Sequence, residues 1–155
     1  MADLRKQFWD SMCELADKDK DIIVLTGDLG YSFMEEYAEK YPTQFINCGC
    51  IEQTMIGIAA GMAVAGKKPY VYSGTIFALM RPYEQIRDDV AYNNLNVKII
   101  GTGASGFLGF THNLGISENE KDLLKNLPNI QLCLPKDEKQ LSRALSVSGP
   151  LYIRI

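Results

Sequence analysis

One acidic residue stands out because of the apolar sequence that surrounds it. Glu52 follows the apolar run Phe45-Ile46-Asn47 and the small turn Cys48-Gly49-Cys50, and it opens a helical stretch rich in Ala, Met and Ile that continues to Gly66. A carboxylate at a helix start has an ordinary explanation, since it interacts favourably with the helix dipole. It also has a chemical one, because a carboxyl group in an apolar pocket can share a proton with a bound heterocycle. Position alone favours the ordinary explanation.

The elements around Glu52 follow an alternating pattern of short apolar runs and helical periodicity. Strands are predicted at 22–25, 45–47, 69–72, 97–100, 130–134 and 151–155, with helical patterns between them. This alternation predicts an α/β fold, with a doubly wound, mainly parallel six-stranded sheet and helices on both faces. In the helical stretch 77–92, Pro82 must lie in the first turn or begin a new segment. Ser117 is a possible N-cap for the next helix, with Glu120 three residues further on.

The helix predicted at 51–65 is apolar almost all round, so we expect it to be buried. Its glycines, Gly57 and Gly61, would allow another backbone to approach closely. Ligands of such folds bind beyond the carboxyl ends of the strands. We therefore expect the loops at that edge to bring together a set of candidate site residues: Glu52, Asp28, Tyr72, Phe77 and His112.

Composition limits the possible functions. The chain has 155 residues, which we interpret as one domain over 1–155, and a net charge of −3 that gives no electrostatic case for nucleic acid or an anionic membrane. No apolar run is long enough to cross a bilayer. The four cysteines match neither a zinc site nor a redox pair, so we expect free thiols in a reducing cytoplasm. With His112 as the single histidine and no glycine-rich phosphate motif, the sequence predicts no multi-histidine metal site and no phosphate loop of its own.

The segment from Phe45 to Asp137 resembles the pyrimidine-binding (Pyr) domain of the transketolase family, whose members depend on thiamine diphosphate. The similar features are Glu52-Gln53 at the start of an Ala- and Gly-rich helix, then Phe77, then Arg81-Pro82-Tyr83-Glu84-Gln85. The opening IIVLTGDLG and the closing GPLYIRI are also similar to that domain, so the resemblance covers nearly the whole chain.

The resemblance implies a catalytic role for Glu52. In the family, the matching glutamate hydrogen-bonds N1′ of the cofactor aminopyrimidine, which allows N4′ to take the thiazolium C2 proton. Phe77 matches an aromatic residue that stacks on the pyrimidine, although plain core packing explains a phenylalanine there nearly as well. Tyr72 is a weaker stacking candidate.

Three further residues have open alternatives. Arg81 could reach the cofactor or substrate, or form an ordinary ion pair with Glu84 or Asp88. Asp28 aligns with an acidic loop residue near the family's site, but a turn-forming aspartate explains it equally well. His112 could contact substrate, but the family's loop aligns with it only through gaps, and a solvated loop histidine is as good an explanation.

No part of this sequence resembles the family's diphosphate-binding (PP) domain or its C-terminal domain. We therefore expect the chain to be one subunit of a split enzyme, inactive by itself. Its PP-domain partner, in a heterotetramer, would bind the diphosphate and Mg²⁺ or Ca²⁺, and would partly cover helix 51–65. The expected reaction is transfer of a two-carbon ketol unit between sugar or sugar-phosphate substrates. The alternatives are a 2-oxoacid decarboxylase, dehydrogenase or acyloin-forming enzyme, and a non-catalytic assembly module.

Overall fold

The computed structural model describes residues 3–103 and 116–155, with side chains from residue 120 onward in the second range. Its centre is a six-stranded sheet of order β2-β1-β3-β4-β6-β5, in which every neighbouring pair is parallel. The predicted fold class is therefore confirmed. The strands are β1 (Ile22–Thr26), β2 (Phe45–Asn47), β3 (Lys68–Gly74), β4 (Lys98–Thr102), β5 (Gln131–Cys133) and β6 (Leu151–Arg154).

The helices lie on both faces of this sheet. They are α1 (Arg5–Lys18), α2 (Glu35–Lys40), α3 (Glu52–Val64), α4 (Thr75–Leu79), α5 (Tyr83–Gln85), a π-helix (Ile86–Ala91), α6 (Ile116–Leu124) and α7 (Glu138–Leu145). One apolar core joins α1, α2 and α7 to one face of the sheet. A second core joins α3, α4, the π-helix and α6 to the opposite face. We call this second face the α3 face, because it includes Glu52.

The stretch predicted as helical over 77–92 is divided at Pro82. Helix α4 ends at Leu79, and a new segment begins after Pro82, whose carbonyl oxygen accepts a hydrogen bond from the Ile86 amide at 2.8 Å. Proline cannot donate a backbone hydrogen bond, so it fits the start of a helical segment better than its interior. Of the two placements expected for Pro82, the structure therefore has the second.

The prediction that the helix at 51–65 is buried holds for only one side of the helix in this chain taken alone. Met55, Ile56 and Ala59 are buried in the α3-face core, but Ile58 is 38% exposed and Val64 is 75% exposed. An apolar sequence does not reveal which side of a helix the chain itself can cover. Within 3–103 and 116–155, no helix has both the length and the apolar character needed to cross a membrane.

Candidate active site

Glu52 is the first residue of α3, and its side chain turns inward, with 2% of its surface exposed. Each carboxylate oxygen has a hydrogen-bond partner. Ser73 Oγ donates to Oε1 at 3.0 Å, and Arg81 Nη1 donates to Oε2 at 2.9 Å. Charge-assisted bonds of this kind are stronger than bonds between neutral groups, and they offset the cost of burying a carboxylate.

The sheet supplies the floor under this carboxyl group. Ser73 is fully buried near the end of β3, and Gly27 directly follows β1 and donates its amide to Tyr72 O at 3.0 Å. A Cβ atom added to Gly27 would lie 2.9 Å from Ser73 Oγ and 3.1 Å from Glu52 Oε1. Any larger residue would therefore force Ser73 or the carboxyl group to shift. Sequence reasoning missed both Ser73 and Gly27, although each is adjacent in the chain to a candidate residue, Tyr72 or Asp28.

Phe77 and Arg81 complete the group around Glu52. Phe77 is half-buried in α4, and the guanidinium carbon of Arg81 lies 3.8 Å from the centre of its ring, a cation–π contact. Arg81 lies between α4 and α5, and its side chain is 44% exposed. The ion pair considered for Arg81 was with Glu84 or Asp88, but the structure pairs it with Glu52 instead.

Asp28 lies at the same edge of the sheet, on the solvent side of Gly27. Its Oδ1 accepts hydrogen bonds from Tyr31 Oη at 2.5 Å and from Asn47 Nδ2 at 3.1 Å, and the Tyr31 and Asn47 contacts lower the pKa of Asp28. Asn47 Oδ1 in turn accepts from the amides of Asp28 and Gly49. Asn47 thus joins the loop after β1 to the turn that leads into Glu52, a role for which the sequence contains no local signal.

Tyr72 does not join this group. Side chains alternate along a strand, so Tyr72 and its neighbour Ser73 point to opposite faces of the sheet. Tyr72 is 1% exposed and stacks on Phe8 of α1, with ring centroids 5.3 Å apart. The expectation that it stacks on a ligand beside Glu52 is therefore corrected, because the ring belongs to the opposite core.

The histidine and the cysteines are the remaining candidate groups. His112 lies outside the described residues. All four cysteines, Cys13, Cys48, Cys50 and Cys133, are free thiols. In the part of the chain that the structure describes, no three His, Cys, Asp or Glu side chains cluster as metal ligands would.

Among the described residues, three further charged side chains are buried, all apart from Glu52: Lys98, Glu120 and Arg154. Burial lowers the pKa of Lys98 to about 8, and its ammonium donates to Gly149 O at 2.7 Å at the opposite, amino edge of β4. Burial also raises the pKa of Glu120 to about 7, with Arg154 Nη1 3.4 Å away and opposing that shift only in part.

The Glu52 carboxyl group can accept a hydrogen bond from a protonated ring nitrogen of a ligand, while the ring of that ligand stacks on Phe77. The Arg81 guanidinium contacts both a buried carboxyl oxygen and the Phe77 ring, and the space between these two groups suits a flat, basic heterocycle. Fold and site together define a doubly wound α/β domain with a buried acid at the carboxyl edge of its sheet.

This chain belongs to the transketolase pyrimidine-binding domain family, whose model matches residues 1–154. It is 37% identical to an apulose-4-phosphate transketolase subunit of Phocaeicola vulgatus, over 97% of this chain and 50% of the relative. It is also 37% identical to a 6-deoxy-6-sulfo-D-fructose transketolase subunit of a Clostridium species, over 98% of this chain and 49% of the relative. The chain thus spans about half the length of these curated relatives.

A solved structure described as a split gene transketolase, inactive beta4 tetramer, has a similar fold. It superimposes with a TM-score of 0.82 and 35% identity, over 97% of this chain and 49% of that one. The suspected membership of the transketolase family is therefore confirmed.

Proposed function

We propose that this chain is the Pyr subunit of a split, transketolase-like, thiamine diphosphate-dependent enzyme. The observation that carries the proposal is Glu52, which is 2% exposed and pairs with the arginine that stacks on the Phe77 ring. The names of the relatives support ketol transfer between sugars or sugar phosphates as the reaction class. The cytoplasmic location expected from free thiols is part of the same proposal.

The residues of the site fit an aminopyrimidine. When bound, thiamine diphosphate supplies a thiazolium carbon that becomes a nucleophile. Glu52 would hold a proton on the pyrimidine ring nitrogen through Oε2, while Ser73 fixes the carboxyl group through Oε1. Phe77 would stack on the ring, and the small Gly27 keeps the floor open for the carboxyl group. Asp28, at the same edge, is a further cofactor-binding candidate, Arg81 contacts the same two groups that the ring would contact, and His112 remains the substrate candidate.

The partner would be a PP-domain subunit that binds the diphosphate together with Mg²⁺ or Ca²⁺. The exposed apolar side of α3 offers a surface for it, because a Cβ atom on Gly57 or Gly61 would have no described atom within 4 Å. Glycines with open space above them suit a closely packed second backbone. A heterotetramer is the assembly that we propose, and the tetrameric state of the related split transketolase supports self-association of such subunits.

The test is reconstitution. The chain is mixed with a candidate PP-domain subunit, and ketol transfer is measured with thiamine diphosphate and Mg²⁺ for the wild type and for Glu52→Ala, with assembly followed by analytical ultracentrifugation. We expect turnover only from the mixture of the two chains. The Glu52→Ala mixture should lose turnover but still assemble. Full turnover by this chain alone would contradict the split arrangement. Lost assembly with unchanged turnover would favour the non-catalytic module.

A further inference from the structure

The guanidinium group of Arg81 makes two contacts at once. Its Nη1 donates to Glu52 Oε2 at 2.9 Å, and its carbon lies 3.8 Å from the centre of the Phe77 ring. A guanidinium is flat, positively charged and rich in N–H donors. The group therefore stacks on an aromatic ring and donates to a buried carboxylate in the same position.

These are the two contacts that the proposed function assigns to the aminopyrimidine. We propose that Arg81 is an internal placeholder: in the cofactor-free subunit its guanidinium occupies the position of the pyrimidine, and the cofactor displaces it. This inference rests on the proposed function. Because the Arg81 side chain would compete with the cofactor for the same position, its removal should change the affinity for the cofactor.

The charges explain why a placeholder would be useful. A carboxylate with 2% exposure is costly to bury without a partner, and Arg81 is the cation that the structure pairs with Glu52. The pyrimidine nitrogen provides a replacement donor, so the carboxyl group has a partner before and after binding. Ser73 stays on Oε1 throughout and keeps the carboxyl group oriented.

The position of Arg81 explains how it could leave. It lies in the short connection between α4 and α5, outside any helix or strand, and 44% of its side chain is exposed. A long side chain that is already half in solvent can turn outward without opening the core. The cofactor would then bind against a competitor, which reduces its apparent affinity.

The experiment measures binding without turnover. The chain, alone and assembled with a PP-domain subunit, is titrated with 4-amino-5-hydroxymethyl-2-methylpyrimidine, and binding is followed by NMR. The variants are Arg81→Met, Arg81→Lys and Glu52→Gln. Arg87→Met is the matched control, because Arg87 is an equally exposed arginine of the next segment that pairs with Asp88. Arg81→Lys keeps the positive charge, and it replaces Arg81→Met as the test variant if Arg81→Met does not fold.

We expect Arg81→Met to bind the probe about tenfold more tightly than the wild type, the equivalent of one hydrogen bond to a charged group. Arg81→Lys should fall between them, since it keeps the charge but loses the flat stacking surface, and Arg87→Met should match the wild type. Unchanged or weaker binding by Arg81→Met would overturn the placeholder, and weaker binding would make Arg81 a cofactor-binding residue. A different result would contradict the proposed function itself. If the probe binds to no variant, or binds equally to Glu52→Gln and the wild type, then Glu52 does not form a cofactor site, and the placeholder role of Arg81 is contradicted as well.

Discussion

Among the described residues, two buried glutamates lie on the α3 face, each beside an arginine, yet their surroundings differ. Ser73 of β3, Gly101 of β4 and Arg154 of β6 are register partners, so the backbones of Ser73, which contacts Glu52, and of Arg154 are about 10 Å apart, or two strand spacings. Both oxygens of Glu52 accept hydrogen bonds. Among the residues described, both oxygens of Glu120 and the Nε and Nη1 atoms of Arg154 lack a hydrogen bond of normal geometry, although the nearby Tyr152 hydroxyl partly offsets the rise that burial causes in the pKa of Glu120.

The difference lies in the cation. Arg81 is 44% exposed and can be exchanged for another donor, whereas Arg154 is 6% exposed and enclosed with its partner. When a buried carboxylate is paired with a cation at the surface, a ligand can displace that cation and bind to the carboxylate. Two charges enclosed together hold neighbouring elements in place, here α6 against β6. We interpret the first pair as functional and the second as structural.

The largest predicted effect is on the enclosed pair. Arg154→Met leaves Glu120 buried without its cation, so we expect a loss of about 3–5 kcal/mol in the free energy of unfolding at pH 7.5. Arg81→Met should cost less, about 1–2 kcal/mol, because solvent can reach the mouth of that site. Urea unfolding followed by circular dichroism measures both. Equal losses would break the distinction between the two pairs.

Removing the acid of the enclosed pair should change how stability depends on pH. Burial raises the pKa of Glu120 to about 7, above its usual value near 4.5, so the folded chain binds this proton more tightly than the unfolded chain does. Its contribution to stability is complete below about pH 4.5 and is lost as the pH rises to about 7, by up to about 3 kcal/mol. Unfolding measured from pH 5 to 8 should show that slope in the wild type and a flatter curve in Glu120→Gln. Parallel curves would show that Glu120 titrates normally.

A pair of glycine substitutions tests the Glu52 site with a smaller effect. Gly27→Ala places a methyl group against Ser73 and Glu52, and we expect a loss of about 1–3 kcal/mol together with weaker cofactor binding. Gly61→Ala is the matched control, since its methyl group would enter open space and should stabilise the free chain by up to about 1 kcal/mol. The same change should weaken assembly with the partner. Thermal unfolding and sedimentation separate the two effects, and a harmless Gly27→Ala would contradict the close-packed floor.

The sequence predicted the sheet well, because buried parallel strands are short continuous apolar runs. It also pointed to Glu52, since the helix start and the motifs after it lie close together along the chain. It placed Tyr72 wrongly, because a continuous apolar run gives no alternation from which to assign faces. Tyr72 and Ser73 therefore looked equivalent, although only Ser73 reaches Glu52.

The enclosed pair could not be predicted from sequence spacing. Glu120 was interpreted as the partner of an N-cap at Ser117, but α6 begins at Ile116, so Ser117 lies inside the helix. Its arginine is the penultimate residue of the chain and comes close only when β6 takes its place beside β4. Local patterns can indicate a helix start, but a contact between distant segments depends on the completed fold.

The most direct test of the Glu52 assignment is the rate of hydrogen exchange at the thiazolium C2 of thiamine diphosphate, measured by NMR in the assembled enzyme. Glu52→Gln keeps the shape of the side chain but cannot pass a proton. We expect it to bind the cofactor and to slow this exchange by about 100-fold or more, the usual size of an acid–base contribution. If Glu52→Gln binds the cofactor and exchanges as fast as the wild type, Glu52 does not activate it.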